Sequence, residues 1–359
     1  MYLLTTEDLA TLATELGRSH DLYGPLRRPA GGQVFFDRVR GWGEIDLAAP
    51  IPSMPPKEIL FPQFERILRY RYDRKTKEVA IEKRYFERPK VLFGVRACDL
   101  AGIQCLDRFL LGQEFVDDVY LAHRRKSLII ANTCVEPFPQ CFCVCTHTGP
   151  SAEEGYDLNL TLLPNGGGIH AAEVGSDAGR ALAERFGWEK ATEADRARKN
   201  AVVERSISLF PELARDNKAW VSRLMNRVTT GFIKPEIWEY IGKQCFECGA
   251  CSFVCPSCSC FNIEDAPLRS GECERLRTRD SCSFEGYTRM AGDHNPRKPV
   301  EDRRNKRFFC KMSFSQSKKY LRPGCVGCGR CAWVCPGDIG LPNVVQYVRR
   351  ETTEQVTRV

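Results

Sequence analysis

The chain has 359 residues, 43% of them hydrophobic and 28% charged, with a formal net charge of +7 and 19 cysteines. Such a length can bury substantial cores in about two domains, and no apolar run approaches the roughly 18 residues that a membrane span requires. The positive charge is local: residues 269–322 hold fifteen Lys or Arg against seven Asp or Glu, leaving −1 for the remainder, so nucleic-acid binding is not needed to account for it.

Met1 to Gly17 reads as an amphipathic helix, with Thr5 and Asp8 in a capping box and Leu9, Leu12, Ala13 and Leu16 on one face. This is not a secretory signal, so the expected setting is the reducing cytoplasm, where cysteines stay out of disulfides. Further along, KVLFGVR (90–96) reads as a short buried strand, Asp99 as the N-cap of a helix over Leu100 to Leu111, and Ser127 to Val135 as a second buried strand. Strand, crossover helix and strand make a right-handed parallel βαβ unit. Tyr156 to Leu163 and Gly168 to Val174 flank Pro164-Asn165-Gly166-Gly167 as a hairpin, and helical patterns then occupy 177–186, 193–210, 217–228 and 235–242.

The cysteines form two islands, six between positions 98 and 145 and thirteen from 245 onward. In the first, parallel strands would place Cys98 and Cys134 at one sheet edge, where open α/β sheets bind ligands. The following loop adds Cys141, Cys143 and Cys145. An iron–sulfur cluster on Cys98, Cys134, Cys141 and Cys143 is one reading; buried free thiols and a zinc site are the others, and Cys145 can replace any one of the four. Cys105, on the apolar face of the crossover helix, reads as core.

The second island repeats one pattern. Cys245, Cys248, Cys251 and Cys255 precede Pro256, and Cys325, Cys328, Cys331 and Cys335 precede Pro336. This is C-x2-C-x2-C-x3-C-P twice, the run of two-cluster ferredoxins, in which the fourth cysteine of each run ligates the other cluster. One [4Fe–4S] cluster is therefore expected on Cys245, Cys248, Cys251 and Cys335, and another on Cys325, Cys328, Cys331 and Cys255. A zinc ribbon uses two cysteines per knuckle and leaves the third, the fourth and both prolines unexplained. Two such clusters with their thiolates carry about −2 each when oxidised, so the basic segment between the runs reads as compensating charge, as a docking face for an acidic partner, or as a solvated surface.

The runs lie 80 residues apart, and FNIEDAPL after the first and VVQYVRR after the second favour a helical arrangement over a βαββαβ ferredoxin. The prolines of His294-Asn295-Pro296-Arg297-Lys298-Pro299 mark a loop. Cys258, Cys260, Cys273, Cys282 and Cys310 remain without a role. No Ser-His-Asp set, phosphate loop or GxGxxG after a strand is present, so no catalytic residue is assigned. The fold expected is an α/β N-terminal domain with a parallel βαβ core over 1–215, then an α-helical ferredoxin-type domain over 216–359.

The segments PPKEILFPQFERILRY, FGVRACDLAGIQCLDRFLL, CVEPFPQCFC, CFECGACSFVCPSCSCFNIEDA and RPGCVGCGRCAWVCP resemble the iron–sulfur subunits grouped as the A subunit of anaerobic sulfite reductase and the β subunit of sulfhydrogenases, over roughly residues 35 to 345. Cys98, Cys134, Cys141 and Cys143 match cysteine positions of that family; Cys105 and Cys145 do not, and Ala97 stands where relatives usually carry Pro. Cys258, Cys260 and Cys282 match as well. The resemblance implies an electron-transfer subunit working between a partner similar to a ferredoxin–NAD(P) reductase, with FAD and a [2Fe–2S] centre, and a terminal module of the sulfite reductase, hydrogenase or heterodisulfide reductase type. The alternative is a stand-alone iron–sulfur enzyme with a substrate site in the N-terminal domain.

Overall fold

The structure, a computed structural model, describes residues 1–28, 32–83, 88–164, 167–211, 219–269 and 271–356. In chain order the described elements are β1 (Tyr2–Leu4), α1 (Thr6–Gly17), β2 (Asp21–Arg27), β3 (Val34–Arg38), α2 (Lys57–Leu60), β4 (Phe64–Tyr72), β5 (Val79–Glu82), β6 (Lys90–Val95), α3 (Ala97–Leu110), α4 (Asp118–Arg125), β7 (Ser127–Asn132), β8 (Leu158–Leu162) and β9 (His170–Val174). They continue with α5 (Asp177–Phe186), β10 (Glu189–Lys190), α6 (Glu193–Ser208), α7 (Ala219–Thr230), α8 (Pro235–Lys243), α9 (Ala250–Phe253), β11 (Phe261–Pro267), β12 (Glu272–Arg279), α10 (Val300–Met312), α11 (Phe314–Tyr320), α12 (Arg330–Trp333) and α13 (Leu341–Val356).

The larger sheet runs β10-β1-β9-β8-β7-β6-β2-β3, with β2, β6, β7 and β8 parallel. The βαβ unit is β6-α3-β7, as its apolar strands and crossover helix require. Strand β6 serves two cores by alternation: Val91 and Phe93 join Leu9, Leu12 and Ile130 on one face, and Leu92 and Val95 join Ile103, Leu106 and Ile129 on the other. The register slips at Gly94, whose φ is +77° and whose missing side chain leaves room for Leu47 and Pro25. Thr5 and Asp8 close the capping box of α1, and β8 and β9 form the antiparallel hairpin, although Asn165 and Gly166 of its turn lie outside the described residues. Residues 217 and 218, the start of the pattern ahead of α7, lie outside them too.

Three expectations need correction. Met1 to Gly17 is not helical throughout: Tyr2–Leu4 pair with β9 and β10 as strand β1, and α1 starts at Thr6 behind the Thr5 cap. Asp99 is not an N-cap: α3 begins at Ala97 after an extended Arg96, which leaves Asp99 in the first turn with its carboxylate committed elsewhere. FNIEDAPL is not helical either. Phe261 to Pro267 pair residue for residue with Arg279 back to Cys273, while VVQYVRR does lie in helix α13. A helix there would forfeit this ladder, and the ladder continues: β12 pairs with β4, and β4 with β5, giving a second sheet in the order β11-β12-β4-β5. Strands from both sides of residue 215 therefore share one sheet. A third core joins α7, α8, α10 and α13 through Leu224, Trp238, Phe308 and Val348, and it also holds Cys98, Cys141, Cys143, Cys325 and Cys328.

Candidate metal centres

The two cysteine loops are conformational copies. In each, the residues two and four past the first cysteine have positive φ: Glu247 (54°) and Gly249 (73°), Gly327 (63°) and Gly329 (76°). The backbone N–H of Glu247 points at Cys245 Sγ at 3.4 Å, and that of Gly327 at Cys325 Sγ at 3.3 Å. Each loop then enters a single helical turn, α9 or α12, behind its glycine.

Cys245, Cys248, Cys251 and Cys335 line one cavity together with Ser283 and Arg304, so the last cysteine of the second run stands with the first loop. Conversely, Cys255 lies close enough for its charge to act on Cys325, Cys328 and Cys331. Ser257 joins the two runs, donating from Oγ to Gly324 O at 2.6 Å while lying 3.4 Å from Cys255 Sγ. Among the described residues no three His, Cys, Asp or Glu side chains meet closely enough to hold a single ion.

Cys98, Cys134, Cys141 and Cys143 line a further cavity with Arg96, Gly149 and Phe138. Cys98 opens α3 and Cys134 follows β7 at the same sheet edge, as parallel strands dictate. Cys105 is buried in the core, and Cys145, although buried, is absent from that lining. The second loop packs directly on this region: Cys141 Sγ–H donates to Cys328 O at 3.3 Å, Phe142 N–H to Gly327 O at 2.8 Å and the Thr148 hydroxyl to Val326 O at 2.7 Å. A Cβ on Gly327 would stand 2.6 Å from Cys143 backbone, and one on Gly329 2.6 Å from Gln140 backbone. Arg330 and Asp99, both fully buried, lock the approach with two bonds of 2.5 and 2.8 Å, and Arg330 Nε–H also donates to Pro52 O at 2.7 Å. A larger cavity of about 690 Å³, lined in part by Trp42, Leu47, Asn132 and His170, shares Arg96 and Phe138 with the N-terminal cysteine cavity.

Residues 244–339 match the family of the 4Fe-4S dicluster domain. Over 341 residues, 93% of each chain, the sequence is 30% identical to sulfhydrogenase 2 subunit beta of Pyrococcus furiosus. The chain belongs to the sulfhydrogenase β-subunit family. No solved structure matches it. Membership and the dicluster match together identify an iron–sulfur electron-transfer subunit carrying [4Fe–4S] chemistry, and no described helix is long and apolar enough to cross a membrane.

In this sulfhydrogenase β-subunit relative the surroundings of the thiols test whether they fit an anionic cluster. Lys57, Arg304, Arg307 and Lys311 are all buried, and none has a carboxylate within ion-pair distance among the described residues. They turn to the cysteine loops instead. Lys57 Nζ donates to the carbonyls of Cys255 and Cys258, Arg307 Nη2 to Cys251 O at 2.8 Å, and Lys311 Nζ to Ser257 Oγ at 2.9 Å; Arg304 Nη1 lies 3.7 Å from Cys251 Sγ. Burial alone would push the Cys251 thiol up, but Arg307 and Arg304 hold it below its ordinary value. Burial also lowers Lys57 to about 7, while Lys311 stays charged against burial because Cys255 and Cys258 face it. Uncompensated buried cations are costly, so bound anionic clusters fit this cage. The basic segment is thus partly internal: α10 turns Arg304, Arg307 and Lys311 inward at i, i+3 and i+7, a helical spacing that was the legible sign of a buried basic stripe. Lys57 and the Asp99–Arg330 pair carried no such sign. Of the remaining thiols, Cys258 lies 3.8 Å from Arg307 Nη1, Cys273 stands opposite Tyr70 in the second sheet, and Cys310 lies on α10.

Proposed function

We propose that the chain relays electrons through three [4Fe–4S] clusters, held by Cys245, Cys248, Cys251 and Cys335, by Cys325, Cys328, Cys331 and Cys255, and by Cys98, Cys134, Cys141 and Cys143. Residues 216–359 supply the first two sites and residues 1–215 the third. When bound, such clusters supply one-electron transfer at the thiolates. The protein's own part is to bury Cys98, Cys141, Cys143, Cys325 and Cys328, to donate backbone N–H bonds to Cys245 and Cys325, and to offset negative charge with Lys57, Arg304, Arg307 and Lys311. The observation that carries the reading is the backbone bond from Phe142 N–H to Gly327 O, which sets the N-terminal cysteine loop against the second loop as the next station of one path.

The relay runs in the cytoplasm between a flavin-bearing NAD(P)H-oxidising partner and a terminal redox module, in keeping with a relative that is itself named as one subunit of a sulfhydrogenase. Iron and acid-labile sulfide in anaerobically reconstituted protein test the site count: about twelve of each are expected, about eight would remove the N-terminal cluster, and four or fewer with stoichiometric zinc would end the relay. One observation favours a second reading, a stand-alone enzyme: the cavity of about 690 Å³ beside Cys134 is large enough for a small substrate. Turnover of NAD(P)H by the isolated chain with an artificial acceptor and no flavoprotein would select it.

A further inference from the structure

Two thiols outside the three proposed sites meet each other. Cys260 leads into β11 and Cys282 follows β12, and the strand ladder carries on past its last pair, with Asp280 N–H donating to Cys260 O at 3.0 Å. At this end of the ladder each of the Cys260 and Cys282 thiols is the first influence on the other's protonation, and the Tyr287 hydroxyl acts on Cys260 as well. Cys282 Sγ lies 3.9 Å from Ser252 Oγ, which in turn accepts from Arg307 Nη1 at 3.4 Å. The residue after Cys282 is Ser283, which lines the first cavity with its Oγ 3.7 Å from Cys251 Sγ. The thiol pair therefore stands one side chain away from a proposed cluster ligand. Both cysteines are half-buried, so the pair keeps a path to solvent.

The chemistry of the pair is asymmetric. The Cys260 thiol, against the effect of burial and with help from Arg307, Ser252 and Arg304, holds the Cys282 thiol down to about 5, while Cys260 is raised and stays protonated. A thiolate in contact with a thiol is the reactive state of a disulfide-forming pair, because the thiolate is the nucleophile and the neighbour supplies the second sulfur. Neither cysteine is needed as a ligand, since each proposed site has four thiols without them.

We propose that Cys260 and Cys282 form a reversible dithiol–disulfide couple that exchanges two electrons with the relay beside the first cysteine loop. On oxidation an S–S bond forms, the Cys260 S–H bond breaks and its proton leaves to water. The two electrons pass singly to two oxidised [4Fe–4S] clusters of the chain, and reduction reverses each step. This rests on the relay reading, and it gives a one-electron path a two-electron store.

Anaerobically purified, iron-loaded protein poised at a series of potentials, acid-quenched, alkylated with iodoacetamide and peptide-mapped tests it, with iron measured on the same samples. The expected result is loss of two alkylatable thiols on oxidation, a linked peptide joining Cys260 and Cys282, unchanged iron, and reversal by dithionite. Cys260→Ser and Cys282→Ser should each keep the full iron content and abolish the linked peptide. A fall in iron in either variant marks these residues as cluster ligands, and iron-loaded wild-type protein that never yields the linked peptide leaves them inert; each result overturns the couple alone. Wild-type protein that binds no iron would instead overturn the relay, and with it the electron acceptor for the couple.

Discussion

The two cysteine loops share a spacing, a pair of positive-φ positions and a backbone bond to the first thiol, yet they live in different surroundings. The first lies at the surface, with Cys248 exposed and Phe246 71% exposed beside it. The second is enclosed, with Cys325 and Cys328 buried and its glycines pressed against the backbone of Gln140 and Cys143. One motif can therefore make a port in one setting and an interior junction in another. What differs is the partner across the loop: in the first, side chains such as Phe284 and Arg304; in the second, another cysteine loop.

The sharpest way to break this contrast is at the ion pairs that anchor each loop. Asp99→Asn leaves Arg330 buried without its carboxylate and is expected to cost about 3–5 kcal/mol, measured as the denaturant midpoint of the iron-loaded protein. Its counterpart, Glu247→Gln, removes a half-exposed partner of the buried Arg303, which keeps the carbonyls of Arg297 and Lys298, and should cost less, about 1–3 kcal/mol. Equal losses would show that the first loop is as enclosed as the second.

Next come the matched glycines. Ala at position 249 or 329 meets a similar left-handed backbone, at +73° and +76°, and each pays about 1–2 kcal/mol for it. The neighbours then decide. At Gly249 the new Cβ would come within 2.6 Å of the Phe284 ring, which can swing aside; at Gly329 it would come within 2.6 Å of the Gln140 backbone, which cannot. Gly329→Ala should cost a further 1–3 kcal/mol, as overpacking does, and release iron from the second and N-terminal sites together. A Gly249→Ala variant that loses as much stability and iron removes the distinction.

Smaller still is the response of the metal-free chain to pH. Burial holds Cys325 above the ordinary 9.0 and pushes Cys328 up to about 12, whereas Cys251 lies below. A raised thiol keeps its proton in the folded chain after the unfolded chain has released it. Its contribution is therefore complete below about pH 9 and is lost as pH climbs toward 12; that of Cys251 is present above about pH 9 and is lost as pH falls through its lowered value. The urea midpoint of metal-free protein should fall between pH 9 and 12, where the unfolded chain releases the protons that Cys325 and Cys328 keep. A flat midpoint contradicts this. The least effect is expected from Arg304→Gln. Losing a cation 3.7 Å from Cys251 Sγ disfavours the more negative reduced state, so spectroelectrochemical titration should find a lower potential at the first site and an unchanged one at the second.

Much of this was legible in the sequence because cysteine spacing and strand order are local facts with long-range consequences. Two apolar strands with a helix between them must be parallel, and that alone brings Cys98 and Cys134 to one edge; the shared cavity with Cys141 and Cys143 follows from the loop that continues the second strand. The doubled run predicts Cys335 beside the first loop, and Cys335 lines one cavity with Cys245, Cys248 and Cys251. What escaped depends on partners distant in sequence. Asp99 looks like a cap until Arg330, 231 positions on, claims it. FNIEDAPL, read as favouring a helical arrangement, becomes a strand because β12, which its own segment does not announce, lies alongside and completes its ladder. Lys57 carried no reading of its own, because nothing in its segment says that two carbonyls of a cysteine loop await it.

The second sheet sets a timetable for biosynthesis. Its ion pair between Arg66 and Glu274 joins residues 208 positions apart, and at synthesis rates of 5–20 residues per second roughly 10–40 s pass between the two. During that interval β4 and β5 leave the ribosome as a hairpin whose main partner does not yet exist, and the first cysteine loop emerges before Cys335. On the proposed ligand set, iron loading of the first site waits for Cys335, and a nascent chain held at residue 260, before β12 is made, would present β4 to a chaperone or to a second copy of itself.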